Sequence, residues 1–141
     1  MGVKLSKEGQ PQETKRLDEA VAKCHFGIGS VSYKLGKYLE SQKFHELGLE
    51  LREKLHGEKH IDVATSYDAL GKVFDKLENF PQALKHYQKS LEIRKGLFGS
   101  DSPELSHSYH AIGDVLTKMG DMDEATSYLT LSKRVRKGMI Y

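Results

Sequence analysis

The sequence predicts an all-α fold, a solenoid of three helix-turn-helix hairpins laid side by side in chain order. Sliding the chain on itself by 42 positions brings three blocks into register, and a fixed period of that size marks a stacked repeat array. Within the blocks, apolar residues recur at helical spacing in two stretches separated by a turn signal. One glycine also returns at the same helical position in every block, as Gly29, Gly71 and Gly113.

The register runs through most of the chain. His25-Phe26-Gly27-Ile28-Gly29 falls on Tyr67-Asp68-Ala69-Leu70-Gly71 and on Tyr109-His110-Ala111-Ile112-Gly113. Leu35, Leu77 and Met119 coincide, as do Tyr38, Phe80 and Met122. Leu49-Glu50-Leu51-Arg52 lies over Leu91-Glu92-Ile93-Arg94, and Leu55-His56-Gly57 over Leu97-Phe98-Gly99. The boundaries expected are an N-terminal arm over residues 1–16 and a repeat domain over 17–141. Its repeats span about 18–59, 60–101 and 102–141.

The second unit shows the plan best. Val63, Tyr67, Leu70 and Phe74 fall at helical spacing, giving a first helix (helix A) from about Asp62 to Leu77. Glu78-Asn79-Phe80-Pro81 ends it, because proline disfavours helix in the residue before it. Pro81 then suits the first turn of the second helix (helix B), where its missing N–H is no loss. Helix B carries Ala83, Leu84, Tyr87 and Leu91 and runs to about Leu97, with Gly99 as its stop. Ser102 is the expected N-cap of the third unit, with Pro103 at the first helical position. Leu105, Tyr109, Ile112 and Leu116 repeat helix A, Gly120-Asp121 makes the turn, and 124–137 forms the last helix.

Glycine costs about 1 kcal/mol against alanine in a helix interior. Its threefold recurrence therefore predicts close helix packing at that point. Ala83 and Ala125, with Ser41 in the first unit, give helix B a matching small position. Tyr67, Tyr109, Tyr87 and Leu129 are the expected bulk around these contacts.

Length and composition fit this plan. The chain has 141 residues, 38% apolar and 30% charged, which suits a thin array that leaves much surface wet. A net charge of +2 gives no strong field toward nucleic acid or an acidic membrane. One cysteine, Cys24, allows no internal disulfide. No apolar run approaches a membrane span, and the first residues lack a secretory core. The expected location is the cytoplasm, with attachment to cytoskeleton or membrane left open.

The spacing Tyr67-x2-Leu70-Gly71-x2-Phe74 with Ala83-x3-Tyr87, repeated as Tyr109-x2-Ile112-Gly113-x2-Leu116 with Ala125-x3-Leu129, resembles the tetratricopeptide repeat. The 42-residue period is similar to kinesin light chain and nephrocystin-type repeats. So are the opening His60-Ile61-Asp62-Val63-Ala64 and the closing Leu91-Glu92-Ile93-Arg94-Lys95. The resemblance covers about residues 18–140 and implies a right-handed superhelix with A helices on the concave side. The first unit departs most, with His25 for tyrosine, Ser32 for a second large residue, and Gly48 for Ser90 and Ser132.

Carried over by alignment, the resemblance implies a partner-binding groove. It is lined by Lys23, Phe26, Ser30, Tyr33 and Lys34, then by Thr65, Asp68, Lys72, Asp75 and Lys76, then by His107, His110, Asp114, Thr117 and Lys118. Lys34, Lys76 and Lys118 are in register and would form a row of positive charge suited to an acidic or C-terminal protein segment. Lysine near a helix C-terminus equally suits the helix dipole. Kinesin light chains place Asn before the Leu-Ala of helix A to bind peptide backbone. This chain has Gly27, Ala69 and Ala111 there, so that cargo recognition does not transfer.

The expected function is a protein-binding adaptor or scaffold. Its rival is an assembly subunit that self-associates or stacks through uncapped repeat ends. No phosphate loop, metalloprotease helix or nucleophile elbow is present, so no enzyme and no cofactor are expected. His56 and His60 flank Gly57, and His107 and His110 share a helix face, but no carboxylate completes either at ligand spacing, so no metal is expected. The two groove histidines would make binding pH-sensitive. Cys24 reads as a buried structural thiol. Arg52, Arg94 and Arg136 close the B helices, explained by dipole and solubility. The basic cluster Lys133-Arg134-x-Arg136-Lys137 is too isolated to imply nucleic acid. Met1-Gly2-Val3-Lys4-Leu5-Ser6 fits an N-myristoylation pattern at Gly2, the one route to a membrane considered.

Overall fold

The computed structural model describes residues 12–138. Six α-helices form three hairpins: α1 (Gln12–Lys34) with α2 (Tyr38–His56), α3 (Ile61–Lys76) with α4 (Phe80–Phe98), and α5 (Ser106–Lys118) with α6 (Met122–Arg136). A single 3-10 turn, Pro103–Leu105, leads into α5. Among the described residues there is no strand, and no helix is long and apolar enough to cross a membrane. Each hairpin packs on the next through its B helix, α2 against α3 and α4 against α5. That is the predicted chain-order stack.

The helix limits follow the sequence signals closely. Pro81 sits in the first turn of α4. Ser102 caps the 3-10 turn, its Oγ accepting from the Glu104 amide at 3.2 Å. The start differs: α1 begins at Gln12, so the helix takes in residues expected for the arm. The myristoylation pattern at Gly2 and the apolar end Met139-Ile140-Tyr141 lie outside the described residues.

All three hairpin turns share one geometry. The residue two past each A helix takes a left-handed backbone, and its amide and the next one reach back to close the helix. Gly36 (φ 77) and Gly120 (φ 84) occupy this position in the outer repeats. The second repeat places Glu78 there, with φ 58. Its amide still bonds to the Asp75 carbonyl at 3.0 Å, and the Asn79 amide to Phe74 at 2.9 Å. A side chain pays strain at this backbone that glycine avoids.

The recurrent glycines seat a side chain from the partner helix, as predicted. A Cβ on Gly29 would meet the His45 ring at 2.7 Å, one on Gly71 the Tyr87 ring at 2.7 Å, and one on Gly113 the Leu129 side chain at 2.7 Å. Ala83 and Ala125 are buried beside them, and Ser41 donates to the Gly29 carbonyl at 2.7 Å. The continuous core runs through the second and third repeats, from Leu70 and Phe74 through Tyr87 and Leu91 to Tyr109, Ile112 and Leu116.

Candidate functional site: the A-helix face

The predicted groove residues do not share one fate. Lys23, Lys34, Lys72, Lys76, His107, His110, Asp114, Thr117 and Lys118 are exposed. Ser30, Tyr33, Thr65 and Asp75 are half-buried. Thr65 and Thr117 spend their hydroxyls on carbonyls four residues back, Ile61 and Gly113. Two residues need correcting. Asp68 is buried and its Oδ2 pairs with Arg94 Nη2 at 2.7 Å. Phe26 lies under the Arg52 guanidinium at 4.5 Å and edge-on to His45 at 4.9 Å. Both occupy one register, and both face the arginine that closes their own B helix rather than an open groove.

Sequence alone assigns those arginines to dipole and solubility. The structure makes two of them stitches. Arg94 holds Asp68 and Ser90, the latter at 3.2 Å. Arg52 reaches across to the second repeat, donating to the Asp62 carbonyl at 3.1 Å and Ser66 Oγ at 2.9 Å.

The lysine row is interrupted. Lys118 Nζ donates to both carboxylate oxygens of Asp75, at 2.8 and 2.9 Å, linking α5 to α3. One register before Asp75 the chain has Tyr33 rather than an acid. Tyr33 instead packs edge-on to Tyr38 at 5.6 Å. Lys34 and Lys76 make no ion pair among the described residues. Positive charge therefore survives on the first two A helices and is neutralised on the third. His110 Nδ1 lies 3.3 Å from Asp114, both half out in solvent.

The fold also assembles groups that sequence spacing hid. Gly57, with φ 81, reverses the chain after α2. The His56 and His60 rings then stack at 4.1 Å, and Asp62 joins them within 4.8 Å between donor atoms. A carboxylate does complete this pair, contrary to the expectation from spacing. The fit to a cation is poor, however. His60 Nδ1 already accepts from the Asp62 amide at 3.0 Å, and the Arg52 guanidinium and Lys23 line the same recess. A cleft of about 560 Å³ lies outside the groove altogether, bounded by Glu58, Tyr67, Lys89 and Ile93. Burial and the Glu53 carboxylate, which accepts from the Tyr67 hydroxyl at 3.1 Å, push that phenol up to about 12, so it stays neutral.

Cys24 is exposed, not buried. Its equivalents Ser66 and Ser108 are buried. The difference is that α2 precedes α3 and α4 precedes α5, whereas among the described residues no helix precedes α1.

Serially stacked helical hairpins with a shared seam define a repeat-array protein. A family profile for the tetratricopeptide repeat matches residues 18–96 and 76–137, and the chain belongs to that family. No curated protein sequence matches it. Among solved structures it is similar to BtubC (BKLC) from P. vanneervenii, with TM-score 0.81 and 25% identity over 90% of this chain and 52% of that one. It therefore spans about half of that protein. The tetratricopeptide domain of Arabidopsis FLU gives TM-score 0.75 and 17% identity over 85% of this chain and 98% of that one. A putative kinesin light chain from Podosopora anserina, with nearly identical repeats, gives TM-score 0.74 and 14% identity over 93% and 60%. The last two likenesses establish the fold. Tetratricopeptide arrays generally serve as protein–protein interaction scaffolds and are typically not enzymes.

Proposed function

We propose that the chain is a non-catalytic scaffold that takes an acidic segment of a partner protein along the A-helix face of its first two repeats. The observation that carries this reading is the contrast among three lysines at one register. Lys118 is neutralised by Asp75, while Lys34 and Lys76 are exposed and form no ion pair among the described residues. Exposed Lys72, one turn before Lys76, adds to the same stretch. Opposite charge on a partner steers encounter and fixes register more than it adds affinity.

The test is charge reversal at Lys34 and Lys76 together, leaving Lys118 in place because it also ties α5 to α3. Partners recovered with the unmodified chain should be lost with the Lys34→Glu, Lys76→Glu variant, at unchanged helicity. Recovery of the same partners by both proteins contradicts the groove reading.

A second reading, self-association through an uncapped repeat end, is favoured by one separate observation, the exposure of Val21, Ile28 and Val31 on α1.

A further inference from the structure

The A helices bury one face against the B helix before them. In α3 and α5 that face includes Val63, Leu70 and Val73, and Leu105, Ile112 and Val115. The same register in α1 is Val21, Ile28 and Val31, and it is bare. Val31 is 56% exposed, against 0% for Val73 and 1% for Val115. Leu17 and Leu35 extend the exposed stripe at both ends. Leu17, Val21, Cys24, Ile28, Val31 and Leu35 follow one another at intervals of 4, 3, 4, 3 and 4. That alternation is the seam of a helix that packs lengthwise on another helix.

We infer that a second copy of this chain covers the α1 stripe, giving a two-fold dimer in which the two α1 helices run antiparallel. The inference rests on the self-association reading and is independent of the groove. Three features choose this occupant. First, the spacing is symmetric about position 26, so an antiparallel copy sets Cys24 against Ile28 and Val21 against Val31. A two-fold interface requires such self-complementarity. Second, exposed Ala20 and Gly27 flank the seam, and a Cβ on Gly27 would meet nothing within 4 Å. Small flanking residues let two backbones approach. Third, the last described helix does not complement the stripe. At the register where α4 buries Leu91, α6 exposes Lys133. Head-to-tail stacking would press that ammonium toward an apolar seam, at a desolvation cost.

Cys24 gives a direct test, since it is the chain's one cysteine and lies in the seam. Antiparallel pairing about position 26 offsets the two Cys24 residues by about 6 Å along the helix axis, on helices about 8–10 Å apart. A short bismaleimide should therefore link two intact chains through Cys24 into a covalent dimer. Sedimentation equilibrium should show a monomer–dimer equilibrium at micromolar concentration. Val31→Glu should shift it to monomer with the circular dichroism of a folded chain, and Lys34→Glu, Lys76→Glu should leave it unchanged. A chain that stays monomeric throughout overturns the inference. So does a dimer that Cys24 cannot cross-link, a dimer that survives Val31→Glu, or a series of oligomers that lengthens with concentration. Loss of partner capture by the lysine variant without loss of the dimer separates the two readings.

Discussion

A Cβ atom placed on Gly71 would lie 2.7 Å from Cε1 of Tyr87, closer than non-bonded carbons approach. The hairpin of the second repeat is closed by this contact between a bare helix position and an aromatic ring. Gly29 with His45 and Gly113 with Leu129 repeat it at intervals of 42.

Gly71→Ala tests that contact. Helix propensity alone favours alanine by about 1 kcal/mol. The buried Tyr87 ring has to move, and overpacking of this kind costs about 1–3 kcal/mol or more. We expect a net loss of about 1–2 kcal/mol in urea unfolding. Gly96→Ala, where a Cβ meets nothing within 4 Å, should gain up to about 1 kcal/mol. Equal effects at the two sites would remove the packing explanation.

Glu78→Gly should stabilise the protein. Glu78 holds φ 58 at the turn position where the other repeats have Gly36 and Gly120. Relief of the left-handed strain is worth about 1 kcal/mol, partly offset by the greater freedom of glycine in the unfolded chain. Thermal unfolding with an unchanged or lower midpoint would contradict this.

His45 should make stability depend on pH. It is buried, its Nδ1 has no hydrogen-bond partner among the described residues, and it fills the slot that Tyr87 fills in the second repeat. Burial, reinforced by the Arg52 charge, holds its pKa down at about 4, against about 6.5 in an unfolded chain. Between these values the unfolded state binds the extra proton, so stability is full above pH 6.5 and falls as the pH drops toward 4. The loss expected by pH 4.5 is about 2–3 kcal/mol. His45→Tyr should remove this component, so the midpoints of variant and parent should diverge between pH 7 and 4.5. Parallel curves would refute it.

Asp68→Ala should destabilise by about 2–4 kcal/mol, because it leaves the largely buried Arg94 charge without its carboxylate. Adding Arg94→Met should restore much of the loss, since an apolar side chain of similar length needs no partner. Additive losses in this double-mutant cycle would mean that the pair is not coupled.

The repeat was legible because its signals are local: periodic apolar positions, turn breakers and one recurring glycine. The site was legible only in part, because exposure is set by what packs from elsewhere. Cys24 resembles its buried counterparts Ser66 and Ser108 in sequence and differs in having no helix ahead of it among the described residues. Asp68 and Phe26 fall at groove positions by alignment, yet arginines 26 residues further on bend back over them. Lys118 differs from Lys76 through the residue one register earlier, Asp75 against Tyr33, a difference visible in sequence once the A helices are known to touch. The His56, His60 and Asp62 group depends on a chain reversal at Gly57 that helical spacing does not express.

Proton NMR of the three glycine contacts is the most direct test of the 42-residue register. Ring currents should displace the α-protons of Gly71 and Gly29, with cross-relaxation to the Tyr87 and His45 rings, while Gly113 should show cross-relaxation to the Leu129 methyls without such displacement. Gly71 α-protons at ordinary shifts, with no transfer to Tyr87, would contradict the account.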